Sequence, residues 1–226
     1  MSGITIACAT RLSDKEFFER SALGRSLAAY RGYPLKLNLF QQNTRGLGEC
    51  YNHAIDSTRD EDDILLFIHD DVLIADFFWM DRLHDGLARF ALAGVAGTTR
   101  RLPRQPSWGF LDDRLTREDP KYLSGIVGHG WGVPCDISHF GPAPQACKLL
   151  DGLCLAARKK TFTEHGIRFD ERFQFHFYDM DLCRQFEAKG LDIGTMPLSL
   201  IHESPGNFTS ASWKTACQAY LEKWGE

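Results

Sequence analysis

Short apolar runs alternate with amphipathic stretches along the first hundred residues of the chain. The runs that predict buried strands are ITIACAT, LKLNLF, DILLFIHD and AGVAGTT, at residues 4–10, 35–40, 63–70 and 93–99. The stretches with the period of an amphipathic helix lie between them, at residues 13–30, 46–58 and 75–90. Strands that alternate with helices indicate right-handed crossovers, so the pattern predicts an α/β fold with a mainly parallel sheet.

The pattern breaks between residues 98 and 148. This segment is rich in proline, glycine, arginine and aromatic residues and has no clear period. Because so long an irregular segment in a compact domain usually serves a function, we expect a functional loop or lid there. The apolar and helical periods return at residues 148–158, 169–190, 192–204 and 210–224. No repeat or linker interrupts the chain, so we predict one domain over residues 1–226.

The composition limits the possible classes of function. The 226 residues are 43% apolar and 25% charged, with a net charge of -4 and a pI near 6.1. These values argue against a nucleic-acid partner and against polybasic membrane binding. No apolar run approaches the roughly 18 residues of a membrane span, and the start of the chain lacks the features of a signal peptide. Seven cysteines without a C-x-x-C pair indicate reduced thiols. We therefore expect a cytoplasmic protein without an integral membrane segment.

His69, Asp70 and Asp71 stand at the end of the most apolar predicted strand. Adjacent carboxylates repel each other and are costly to desolvate, so they either cap the next helix from a solvated edge or hold a cation. Ligands of open α/β sheets bind beyond the carboxyl ends of the strands, where these residues fall. The chain has no glycine-rich phosphate loop. Carboxylates that hold Mg²⁺ or Mn²⁺ could neutralise bound phosphates instead.

A second pair of carboxylates, Asp179 and Asp181, lies at the start of a predicted helix, behind several aromatic residues. Both could simply favour the positive end of the helix dipole. Because positions i and i+2 point to different faces of a helix, we expect one catalytic and one structural group. His202 follows another apolar run, where a histidine is either a structural residue or a metal ligand.

Four segments follow one another in a recognisable order: LLFIHDDVLI, LLDGLCLAARKKTF, GIRFDERFQFHFYDMDLCRQFEAKGLDI and PLSLIHES. Together they resemble family 2 glycosyltransferases with the glycosyltransferase-A fold, in particular the bacterial branch with an H-x-D-V strand end. The resemblance implies inverting transfer of a sugar from a nucleoside-diphosphate sugar, with UDP as the default, to a glycan or lipid-linked acceptor. It also implies a divalent metal, Mn²⁺ or Mg²⁺. Together with the reduced cysteines, it leads us to expect a cytoplasmic site of action, free or peripheral at the inner membrane face.

We divide the single domain into three parts: residues 1–97 for the nucleotide sugar, an acceptor lid over 98–148, and a catalytic half with the C-terminal helix over 149–226. The alternative for 98–148 is a surface loop whose tryptophans only attach it to the core. In the lid, Trp108 and Trp131 offer flat apolar faces on which a sugar ring could stack.

The donor side of the site follows residue by residue from the resemblance. Asp71 matches the position that holds the metal and the donor diphosphate, and His202 matches a histidine that completes the metal shell. Asp70 matches a position near the donor ribose or sugar, whereas His69 replaces an acidic residue. Imidazole suits Mn²⁺ better than Mg²⁺. The residues implied in nucleobase binding are Thr10, Arg11, Gln42 and Asn43.

The catalytic side follows in the same way. Asp179 matches the catalytic base, with Tyr178 in the position of a glutamate, so that Asp181 is left as the structural group. Asp151 and Gly152 match a D-G pair near the acceptor and the donor sugar. Two alternatives stay open: a sugar-phosphate nucleotidyltransferase, and an inactive module that only binds glycans or nucleotide sugars.

Overall fold

The computed structural model describes residues 3–30, 32–204, 206 and 208–225, and strands and helices make up most of this part of the chain. The strands are β1 Ile4–Ala9, β2 Leu35–Phe40, β3 Ile64–Ile68, β4 Val72–Ile74, β5 Leu92–Gly94, β6 Ala96–Thr98, β7 Leu123–His129, β8 Asp136–Gly141, β9 Gln145–Cys147, β10 Leu149–Leu150, β11 Cys154–Arg158, β12 Ile193–Thr195 and β13 Leu200–His202. The helices are α1 Asp14–Arg20, α2 Ala22–Leu27, α3 Leu47–Ser57, α4 Trp79–Leu87, α5 Lys159–His165, α6 Tyr178–Ala188 and α7 Ala211–Trp224.

The central sheet has seven strands in the order β2-β1-β3-β11-β5-β12-β9. β1 is parallel to β2 and β3, and β5 is parallel to β12, whereas β11 and β9 run antiparallel to their neighbours. The α/β class with a mainly parallel central sheet is confirmed, since five of the seven strands run in the same direction and only β11 and β9 run the opposite way. An apolar run reports burial on both faces of a sheet and not the direction of the strand. Nothing in the sequence of β11 therefore shows that it runs the opposite way.

A second sheet, in the order β10-β6-β7-β13-β4 with β8 beside β7, includes part of the segment expected to be irregular. That expectation is wrong for residues 123–147, which contain β7, β8 and β9. Glycines in β7 and β8 make these two strands hard to recognise from the sequence. A side chain at Gly125, where φ is +109°, would collide with the carbonyl oxygen of Val95, and one at Gly141 would collide with that of Leu123. Close backbone approach requires glycine here, which removes the alternation by which a strand is recognised.

The chain passes between the two sheets at two places. The strand predicted over 93–99 is two strands, with β5 in the central sheet, β6 in the second sheet and Val95 between them. The run predicted over 148–158 is divided in the same way, because β10 belongs to the second sheet and β11 to the central one. Asp151 and Gly152 follow β10 and therefore lie at the junction of the sheets.

The helix predicted to follow β1 is two helices. The Ser13 and Glu16 capping box at the start of α1 is present, since the backbone N–H of each residue donates to the side chain of the other. Ser21 then has an extended backbone and caps α2 by accepting a hydrogen bond of 2.9 Å from the N–H of Gly24. A side chain at Gly24 would collide with the carbonyl oxygen of Phe17, so glycine allows the two short helices to pack closely.

Helices cover both faces of the central sheet. α1, α2 and α4 pack on one face, where Phe17 and Trp79 are fully buried. α3, α5, α6 and α7 pack on the other face, around Tyr51 and Phe186. None of the helices in the described ranges combines the length and the apolarity that a membrane span requires.

The seven cysteines are free thiols, of which Cys135 and Cys217 are partly exposed and the others are buried. Burial raises the pKa of both Cys147 and Cys154 to about 12. These buried thiols therefore behave as small apolar side chains within the core.

Asp181 joins α6 to α7, and its removal should destabilise the fold. The carboxylate is buried and lies 2.6 Å from Nζ of Lys223 and 3.0 Å from Nε1 of Trp224. We expect Asp181→Asn to lower the free energy of unfolding by about 2–3 kcal/mol, because a charged hydrogen-bonded group is lost. Chemical denaturation measures this change. The control is Asp62→Asn, in an exposed pair with Lys160, where we expect no measurable change. Equal losses in both variants would contradict this role of Asp181.

Candidate active site

A cavity of about 320 Å³ opens at the junction of the two sheets, beyond the end of β3. Its walls come from the turn after β3, the connection between β10 and β11, the start of α6 and the end of β13. The titratable residues that line it are His69, Asp70, Asp71, Asp151, His176, Tyr178, Asp179 and His202. Residues far apart in the chain, which the sequence assigned to a metal, a base and a sugar, therefore meet in one place.

Asp71, His69 and His202 bring three ligand atoms within 4.8 Å of one another. Oδ2 of Asp71 lies 3.4 Å from Nε2 of His202 and accepts a hydrogen bond of 2.6 Å from Oγ of Ser204. Oδ1 of Asp71 lies 4.0 Å from Nδ1 of His69 and, although buried, has no hydrogen-bond donor in the described part of the chain. A buried carboxylate oxygen without a partner is costly, and a divalent cation would satisfy it. The donor set therefore fits a metal ion.

The charges of this cluster depend on one another. Burial raises the pKa of Asp71, but hydrogen bonds from His202 and Ser204 and the charge of His69 outweigh it, so the pKa lies below its usual range. Burial lowers the pKa of His202, and the Asp71 carboxylate more than compensates, so that pKa is raised. At His69 burial dominates and lowers the pKa. A lowered pKa favours the neutral imidazole that metal ligation requires.

Asp70 has different surroundings from those of Asp71. Oγ1 of Thr10 donates a hydrogen bond of 2.6 Å to its carboxylate. Burial raises the pKa of Asp70, and the bond from Thr10 offsets only part of this effect. Neither carboxylate caps the next helix, because β4 follows directly and the N-cap of α4 is Phe78. The helix-capping alternative is therefore wrong.

The first turn of α6 brings Tyr178 and Asp179 to the cavity. The residue before the helix, Phe177, has a φ of +66°, a strained conformation for a bulky side chain. The carboxylate of Asp179 accepts two backbone hydrogen bonds, one of them 3.0 Å from the N–H of Gly152. Burial and the nearby charge of Asp151 nevertheless raise the pKa of Asp179 to about 7. A carboxyl with such a pKa exchanges its proton near neutrality.

A second cavity, of about 490 Å³, adjoins the first. The two share Trp108, Asp151 and His202 in their walls. Nε1 of Trp108 donates a hydrogen bond of 2.7 Å to Oδ2 of Asp151, so two predicted sugar-binding residues are in direct contact. The β7–β8 hairpin lines another part of this cavity, through residues that include His129 and Phe140.

Five of the predicted site residues lie outside the residues that line the two cavities. Thr10, Arg11, Gln42 and Asn43 occupy the loops after β1 and β2, which a backbone hydrogen bond of 2.8 Å from Asn43 to Thr10 connects. The side chains of Arg11 and Gln42 are exposed. Trp131 lies at the turn between β7 and β8, and 82% of its surface is exposed.

Two features of the site were missed in the sequence. Ser204, which bonds to Asp71, is a serine after a strand, and serines are so common in loops that its position carries no signal. Nε2 of His69 and the hydroxyl of Tyr178 lie 2.7 Å apart. These residues are 109 positions apart in the chain, so only the fold reveals their contact.

The fold is similar to that of solved glycosyltransferases. The chain aligns with the catalytic domain of Drosophila β1,4-galactosyltransferase 7, solved with xylobiose, with a TM-score of 0.55 over 96% of this chain and 80% of that one, at 11% identity. It aligns with GalNAc-T7, solved with UDP, GalNAc and Mn²⁺, with a TM-score of 0.54 over 97% of this chain and 48% of that one, also at 11% identity. The chain has a glycosyltransferase-A fold. No protein-family model and no curated protein sequence matches it, so membership of family 2 stays a prediction.

Within this glycosyltransferase-A fold, we expect Asp179 to titrate near pH 7, because burial and Asp151 disfavour its charged form. The measurement is NMR of ¹³C-labelled aspartate carboxyls in the metal-free protein, with the signal assigned by its loss in Asp179→Asn. Asp112 is the internal control: it also accepts backbone hydrogen bonds but is only partly buried, and the bond from Thr116 holds its pKa below the usual range. An Asp179 signal that titrates near the ordinary value of about 4 would contradict the prediction.

Proposed function

We propose that the chain is a metal-assisted glycosyltransferase, which moves a sugar from a nucleoside-diphosphate sugar to a hydroxyl group. The observation that carries the proposal is the unsatisfied oxygen of Asp71 beside two imidazoles, in the same cavity as Asp179. The glycosyltransferase-A fold supports it, and UDP with Mn²⁺ occurs in the solved GalNAc-T7 complex.

We infer that His69, Asp71 and His202 would hold the cation. This set adds His69 to the two ligands expected from the sequence. Two imidazoles with one carboxylate suit Mn²⁺ better than Mg²⁺. When bound, the cation would stabilise the negative charge that develops on the leaving diphosphate. Ser204 keeps the Asp71 carboxylate in place through the hydrogen bond to Oδ2.

Asp179 is the proposed general base. With a pKa of about 7, a substantial fraction of its carboxyl is ionised at neutral pH and able to accept the proton of an incoming hydroxyl. The N–H of Gly152 orients this carboxylate. Direct attack of the hydroxyl on the anomeric carbon inverts that carbon, so we propose an inverting reaction.

The donor would lie between the metal ligands and the loops after β1 and β2. We assign the nucleobase to Arg11, Gln42 and Asn43 in these loops, and uridine follows the UDP of the GalNAc-T7 complex. The hydroxyl of Thr10 is engaged by Asp70, so we propose that Thr10 orients Asp70 toward the donor ribose or sugar.

The second cavity is the proposed acceptor site, for a glycan or a lipid-linked glycan. Trp108 contributes an aromatic wall and is hydrogen-bonded to Asp151. The next residue, Gly152, is hydrogen-bonded to the proposed base, Asp179. Residues 99–122, before β7, are the longest part of the proposed lid without a strand. Trp131 would touch only an acceptor that extends beyond the cavity. The free cysteines support a cytoplasmic location, free or peripheral at the inner membrane face.

We expect Mn²⁺ to strengthen the binding of UDP to the wild-type protein and Asp71→Asn to remove most of this gain, because a neutral amide oxygen is a much weaker ligand for a divalent cation than a carboxylate. Calorimetric titration of UDP with and without Mn²⁺ provides the measurement. The matched control is Asp192→Asn, which changes an exposed carboxylate outside both cavities and should keep the full gain. If the affinity of the wild-type protein for UDP is the same with and without Mn²⁺, metal assistance is refuted.

We expect Asp179→Asn to bind UDP and Mn²⁺ normally but to lose about 10²–10⁴-fold in the rate of sugar transfer, because the base is absent. Transfer is assayed with the UDP-sugar that raises Tm most in a thermal-shift screen. Asp181→Asn is the control, since it should lower Tm and leave most of the rate per folded molecule. A wild-type protein that binds donor without turnover would favour the inactive module. Release of pyrophosphate from UTP and a sugar 1-phosphate would favour a nucleotidyltransferase.

A further inference from the structure

The hydroxyl of Tyr178 lies between two polar groups inside the protein. Its oxygen is 2.8 Å from the carbonyl oxygen of Gly152 and 2.7 Å from Nε2 of His69. Only 3% of the surface of Tyr178 is exposed. The hydroxyl is therefore hydrogen-bonded to groups of the protein and not to solvent.

The chemistry of the three groups fixes where each hydrogen lies. A carbonyl oxygen can only accept, so the single phenol hydrogen goes to Gly152. The phenol oxygen is then left to accept a hydrogen bond, and its partner is Nε2 of His69, which must carry a hydrogen. A neutral imidazole has one N–H, so Nδ1 of His69 keeps its lone pair.

We propose that Tyr178 is a positioning residue that holds His69 in the Nε2–H tautomer and so presents the lone pair of Nδ1 to a metal ion shared with Asp71. The inference rests on the proposed function, because it concerns the cation that the proposal places between these residues. When one ring nitrogen of a histidine binds a metal, the hydrogen bond made by the other nitrogen fixes the tautomer and the orientation of the ring.

The separation of His69 and Asp71 agrees with this assignment. Nδ1 of His69 is 4.0 Å from Oδ1 of Asp71, which is too long for a hydrogen bond. Two ligands at about 2.1 Å from one ion lie up to about 4.2 Å apart, so the gap suits an ion between them. Oδ1 is also the buried carboxylate oxygen that lacks a donor among the described residues.

Gly152 makes the contact of Tyr178 with the backbone possible. A Cβ at this position would collide with the Tyr178 hydroxyl and lie 3.0 Å from Cβ of Asp179. The same glycine donates its N–H to Oδ2 of Asp179 at 3.0 Å. Gly152 therefore positions two residues. Its carbonyl oxygen holds Tyr178, which contacts the metal ligand His69, and its N–H holds the proposed base, Asp179.

The test compares two tyrosine hydroxyls of the same aromatic cluster. The ring of Tyr51 lies 5.8 Å from that of Tyr178, and its buried hydroxyl has no hydrogen-bond partner in the described ranges. We expect Tyr178→Phe to weaken Mn²⁺ binding about 10–100-fold, as loss of a hydrogen bond to a ligating histidine does, and Tyr51→Phe to leave it unchanged. Calorimetry with MnCl₂ and no nucleotide measures both, and Tm shows that each variant is folded.

A second measurement reads the tautomer directly in the metal-free protein. In ¹⁵N-labelled wild type, the ring of His69, assigned by its loss in His69→Ala, should have its hydrogen on Nε2, and Tyr178→Phe should give a mixture of tautomers. A hydrogen on Nδ1 in wild type would overturn the inference even if Tyr178→Phe did not fold. Equal Mn²⁺ affinity of wild type and Tyr178→Phe would overturn it as well and leave the metal site intact. Wild type that binds no Mn²⁺ would instead overturn the proposed metal site, and the inference with it.

Discussion

Several carboxylates share one cavity at the junction of two sheets, and the fold has to satisfy each of them separately. Ionised carboxylates are costly to bury, and neighbours of like charge raise the cost. Asp70 is bonded to Thr10, whereas Asp71 is bonded to Ser204 and left with one oxygen open. Asp179 takes up a proton near neutrality instead. Three residues of one type thus acquire three chemical characters from their surroundings, which is the basis of the roles proposed for them.

Much of the fold could be predicted from burial patterns. β1 and β2 end within a residue of the predicted runs, and α7 begins one residue after the predicted start. Burial does not report the direction of a strand, so the antiparallel course of β11 escaped prediction. Strand β7 was not predicted for a second reason. Its glycines allow close backbone contacts and interrupt the alternation of apolar and polar side chains by which a strand is recognised.

The candidate site could be predicted only to the level of residues. Polar groups after apolar runs pointed to His69, Asp71 and His202, because ligand sites of α/β folds lie at strand ends. Asp179 was singled out instead as one of two carboxylates at the start of a predicted helix. Which atom of each residue faces the cavity depends on partners far away in the chain. The contact between His69 and Tyr178 shows this most clearly, because these are two positions at which the chain departs from the pattern it resembles. Only their hydrogen bond shows that the two departures belong together.

The distribution of thiols has a practical consequence for following the protein in solution. A thiol reacts as the thiolate, so burial and a raised pKa protect most cysteines of this chain from alkylating reagents. Cys135, in the turn between β7 and β8, and Cys217, on α7, are the partly exposed ones. The hairpin beside the second cavity thus has a natural attachment point for a fluorophore or spin label. Distances from this point to α7 can be followed as ligands are added, without engineering a cysteine into the chain.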